Sequence, residues 1–60
     1  MKKYYVVTTL MSTLCTTEDE VVARNQYLTA VFSGRRYVEL KEVTEGPSGY
    51  YAQSLELYTR

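Results

Sequence analysis

The chain has 60 residues, with 7 Lys plus Arg against 7 Asp plus Glu, no histidine, no tryptophan and a single cysteine. That length makes one domain, residues 1–60, and folding at this size buries only about 60% of the surface that the unfolded chain exposes. A lone Cys15 excludes an internal disulfide, a four-ligand structural zinc site has too few Cys and His, and zero net charge argues against both a duplex-DNA binder and an acidic DNA mimic.

So small a core needs well-idealised packing or self-association, and the expectation is a homodimer. Seven tyrosines, at positions 4, 5, 27, 37, 50, 51 and 58, are more than this core can hold. A tyrosine joins an apolar ring to a hydroxyl that wants a partner, which suits it to surfaces that bind something. The apolar runs fall far short of the ~20 residues of a membrane helix, and Met1-Lys2-Lys3 leads into strand-like residues, not a signal peptide. With an unpaired cysteine this reads as a cytoplasmic chain, and the start reads as that of a complete small protein.

Residues 3 to 14 give the first extended signal. Tyr4, Tyr5, Val6, Val7, Thr8, Thr9 and Thr13 are aromatic or β-branched and suit a pleated strand. Neither face of it is cleanly polar. Thr17-Glu18-Asp19-Glu20 then reads as a capping box, with Thr17 as the cap and Glu20 reaching back to it. The helix is expected from about Glu18 to Ser33, stopping at Gly34, which suits a left-handed cap.

Two apolar groups lie on that helix. Val21, Leu28 and Phe32 cluster within about 40° and form the stripe expected to face the sheet. Ala23, Tyr27, Ala30 and Val31 lie about 100–140° away. They either widen that stripe or form a contact for a second subunit.

Residues 35 to 45 read as a strand with Val38 and Leu40 inward and Tyr37, Glu39 and Lys41 outward. Gly46-Pro47-Ser48-Gly49 is a tight connection. Tyr50 to Tyr58 completes a hairpin, with Tyr51, Leu55 and Leu57 on one face and Tyr50, Ala52, Ser54, Glu56 and Tyr58 on the other. The expected architecture is therefore α+β: a β-α-β-β domain with a three-stranded sheet and one helix packed on one face.

Catalytic groups are scarce. Without histidine there is no ready general base near neutral pH, and no Ser-His or Cys-His pair can be assembled. The glycines match neither a phosphate loop nor a dinucleotide fingerprint. Glu18, Asp19 and Glu20 are explained by their helix start. No metal or cofactor is expected. Cys15, just ahead of the helix, is either a reactive thiol or, as most free cysteines are, a small hydrophobe.

The sequence thus points to a non-enzymatic protein-binding module. Its expected contacts are Tyr37, Tyr50, Tyr58 and Lys41 on the open face, with Arg35 and Arg36 at one edge, or a partner's strand added to a sheet edge. Chains this short and without catalytic groups are similar in style to the small accessory and inhibitor proteins of phages and mobile elements, a likeness that carries no residues across. Two alternatives use the same surface. One is stacking of single-stranded nucleic acid on the tyrosines, and the other is a purely structural homo-oligomer.

Overall fold

The computed structural model describes residues 2–60. Five elements follow in order: β1 (Lys2–Thr8), β2 (Thr13–Thr17), α1 (Glu20–Phe32), β3 (Tyr37–Gly46) and β4 (Gly49–Thr59). The class is α+β, one helix on an antiparallel sheet, but the sheet has four strands in the order β2-β1-β3-β4. The expected three-strand β-α-β-β order is corrected at residues 9–12, where the first extended segment folds back on itself. The Thr9 N–H donates to the Ser12 carbonyl at 2.8 Å, and the Ser12 N–H donates to Thr9 Oγ1 at 3.2 Å. Hydroxyl side chains here close a turn that contains no Gly, Pro, Asn or Asp. β2 and β3 are each antiparallel to β1, so they run parallel on either side of it, and α1 is the crossover between them.

The helix starts two residues later than its capping-box pattern suggests. Thr17 is the last residue of β2 and pairs with Tyr5, so it cannot also cap the helix. Asp19 takes that place, accepting from the N–H groups of Val21 (2.9 Å) and Val22 (3.5 Å), while Thr17 Oγ1 accepts from the Asp19 N–H at 3.1 Å. An aspartate is as good a cap as a threonine. Glu20, released from the box, accepts from Arg24 Nε at 2.8 Å and from the Tyr5 hydroxyl at 3.5 Å. At the other end Gly34 has φ +92°, as the left-handed cap requires, and its N–H donates to the Val31 carbonyl at 3.3 Å.

The two helix faces exchange roles relative to expectation. Ala23 and Ala30 are buried in the core, and Tyr27 and Val31 pack against it. Val21, Leu28 and Phe32 face solvent, Phe32 with 84% of its surface exposed. The reason lies in the sheet, which supplies the bulk: Leu40, Val7 and Val38 are its largest fully enclosed side chains, and Tyr5 is buried beside them. Small alanines let the helix approach that layer closely at interior packing density. Ala23 and Ala30 are therefore enclosed within one chain, while Tyr27 and Val31 are half-buried against the core.

α1 packs over β1, β2 and β3 and reaches β4 through Arg24 Nη1, 3.4 Å from Glu56 Oε2. Between β3 and β4 the register slips: Leu40 pairs with Glu56, and Lys41 with Ser54. Leu55 is the extra residue of a β-bulge, and it packs towards the core. A one-residue insertion inverts which face each later side chain takes. Glu56 and Tyr58 consequently turn to the helix side, opposite Leu40 and Val38, while Leu57 turns outward opposite Glu39.

Candidate functional site

No element covers the far face of the sheet among the described residues. Pairing places Tyr4 and Val6 of β1, Tyr37, Glu39, Lys41 and Val43 of β3, and Tyr50, Ala52 and Leu57 of β4 on it. Val43, in the middle, is buried by these neighbours and stands apart from the core beneath the helix. Of the sequence-expected contacts, Tyr37, Tyr50 and Lys41 lie here, joined by Tyr4. Tyr58 does not, because the Leu55 bulge turns it to the helix side, where it is half-buried.

The polar groups on this face are mostly committed. The Tyr37 hydroxyl donates to Glu39 Oε1 at 3.1 Å, and Lys41 Nζ stands 3.8 Å from the same oxygen. The hydrogen bond to Glu39, and then burial, raise the Tyr37 phenol above its ordinary pKa. Glu45 does the same for Tyr4. Carboxylates placed beside the rings are a poor environment for a phosphate backbone, which carries its own negative charge.

The two ends of the face differ. At one end a hollow of about 410 Å³ is lined by Lys2, Tyr4, Thr16, Thr17, Glu18 and Glu45. Its cation is already present, since Lys2 Nζ sits 5.9 Å from the centre of the Tyr4 ring. At the other end the β1–β2 turn meets the start of β3. Thr9, Leu10, Met11, Arg35, Arg36 and Tyr37 line a shallow hollow of about 200 Å³ there. Leu10 is 70% exposed and Met11 93% exposed. Arg35 and Arg36 are exposed too, and among the described residues no carboxylate lies within salt-bridge distance of either. The loop carrying them is fixed by the Arg60 N–H, which donates to the Arg36 carbonyl at 2.8 Å.

The structure therefore brings Arg35, Arg36 and Tyr37 together and leaves Tyr50 near the far end, eight β3 positions away by pairing with Glu45. At strand rise that separation is about 26 Å. Sequence reasoning missed Leu10 and Met11, which it placed inside a continuous strand. The available signal was the Thr9/Ser12 hydroxyl pair flanking two apolar residues. Cys15 is half-buried and packs against the core. Among the described residues no group of three His, Cys, Asp or Glu could hold a metal, and no helix is long and apolar enough to cross a membrane. Comparison with protein-family models, with curated proteins and with solved structures gives no match.

Proposed function

We propose that this protein is a small non-enzymatic binding module that works by occupying an acidic surface on another protein, in the manner of an accessory or inhibitory subunit. One observation carries the reading: exposed Leu10 and Met11 stand beside two arginines with no carboxylate partner and a tyrosine ring, around one shallow hollow. Arg, Tyr and Met are enriched at protein interfaces, and interface energy concentrates in such anchors. Two free guanidiniums fit carboxylates on the partner, bidentate where geometry allows. The flexible Met11 side chain adapts to an apolar depression between them.

Nucleic acid would also attract Arg35 and Arg36, but the Tyr37 hydroxyl is tied to Glu39 and the whole chain is neutral. The test is affinity capture with the wild-type chain and with an Arg35→Ala/Arg36→Ala variant shown to keep its fold. The captured partner is then purified and titrated by calorimetry, beside a single-stranded oligothymidylate at low salt. A protein bound by the wild type and lost by the variant supports the reading. Oligothymidylate binding with a steep salt dependence, or a partner held equally by both chains, refutes it.

A further inference from the structure

The sheet has two very different edges. β2 is five residues long, and a short edge strand is one way that proteins blunt unwanted pairing. β4 is the longest strand, eleven residues, with none of them buried. Of the usual guards it carries a bulge and one charge, Glu56 on the helix side, exposed and 3.4 Å from Arg24 Nη1, but no lysine and no proline. We infer that a second copy of this chain occupies this edge, with β4 running antiparallel to its mate about a two-fold axis at Ser54.

The choice of a second copy follows from the strand's own sequence. Centred on Ser54, each bulge is absorbed two-on-one, as it already is against β3, and every later pair keeps its face. Tyr51 then meets Tyr58 of the other copy on the helix side, where Tyr51 is 67% exposed and Tyr58 half-buried. Ala52 meets Leu57 on the open face, small against large. Gln53 meets Glu56, an amide donor against a carboxylate. The strand's one charge never faces itself, and such matched cross-strand pairs are what stabilise a sheet. Zero net charge removes long-range repulsion between copies. The product is an eight-stranded sheet with no long edge left open, its two arginine-bearing hollows at separate places on the surface. This inference does not depend on the proposed partner site, which lies on other residues.

The test is solution molar mass by light scattering for three chains, each confirmed folded by circular dichroism. Ala52 and Leu57 are both exposed, so charges are tolerated at them in the monomer. The wild type is expected to be a dimer. Ala52→Lys/Leu57→Lys places lysine against lysine twice across the axis and is expected to be monomeric. Ala52→Glu/Leu57→Lys places opposite charges there, with the new lysine opposite Glu39 of its own chain, and is expected to recover the dimer. A monomeric wild type up to its solubility limit overturns the inference. So does a dimer that survives the double-lysine change, or one lost equally in the charge-paired variant.

Discussion

The exchange of helix faces yields a prediction that separates the structure from the simple apolar pattern. Ala23 has no solvent-accessible surface, and it lies under Tyr5, Val7, Val38 and Leu40. Enlarging it to leucine forces extra carbon into a filled layer, at a cost of about 1–3 kcal/mol. Phe32 is 84% exposed, so Phe32→Ala belongs with surface changes of about 0.5 kcal/mol or less. If the stripe of Val21, Leu28 and Phe32 faced the sheet instead, losing the phenyl ring would cost about 3–5 kcal/mol. An unfolding entropy of about 2.1 cal/mol/K per residue makes 1 kcal/mol equivalent to about 8 °C in a chain of this size. Ala23→Leu should therefore lower the melting temperature by about 8–24 °C, and Phe32→Ala by less than about 4 °C. Thermal melts followed by far-ultraviolet circular dichroism at matched chain concentration measure both. A larger drop for Phe32→Ala than for Ala23→Leu would refute the packing described.

Three other changes test separate links. Asp19→Ala should cost about 0.5–2 kcal/mol by urea denaturation, as loss of a helix cap does, while Glu18→Ala, outside the cap, should leave stability almost unchanged. Leu40→Ala, at a fully enclosed site, should cost about 2–5 kcal/mol, which is comparable to the whole net stability of so small a core, so the variant should be largely unfolded at room temperature. The third concerns alkaline pH. Burial first, and then Glu20 and Glu42, raise the Tyr5 phenol, so the folded chain holds that proton more tightly than the unfolded chain does. The resulting stability is complete below the unfolded tyrosine value of about 10 and is lost as pH rises through the higher folded value. Urea midpoints should accordingly fall above that pH, and Tyr5→Phe should flatten the fall. An unchanged slope in Tyr5→Phe would remove Tyr5 as its source.

What was legible in the sequence was local and chemical. Gly34 marks its helix end because a positive φ is needed there, and the alternation around Val38 and Leu40 marks an inward strand face. Gly46 and Gly49 bracket a hairpin turn, with Gly49 at φ +132°. What was not legible depended on tertiary context. A turn closed by Thr9 and Ser12 hydroxyls leaves the β-branched composition of a strand uninterrupted, which hid one strand and the exposure of Leu10 and Met11. The Leu55 bulge has no residue signature, yet it decides the face of Glu56, Leu57 and Tyr58. On the helix, apolar residues occur on both faces, and only the bulk of the sheet side chains selects the alanines. Arg35, Arg36 and Tyr37 were within reach of the sequence because they are consecutive, whereas Tyr58 was placed by an alternation that the bulge breaks.

The most direct test of the binding account compares two lesions on one molecule. The affinity of the purified partner is measured by calorimetry for Arg35→Ala/Arg36→Ala and for Tyr50→Ala, a ring 77% exposed near the far end of the same face. Truncation of anchor residues costs more than about 1 kcal/mol each. The double arginine variant should therefore weaken binding by at least about tenfold, and Tyr50→Ala should leave it unchanged. Full affinity in the arginine variant, with loss in Tyr50→Ala, would place the contact at the opposite end of the sheet and contradict the account.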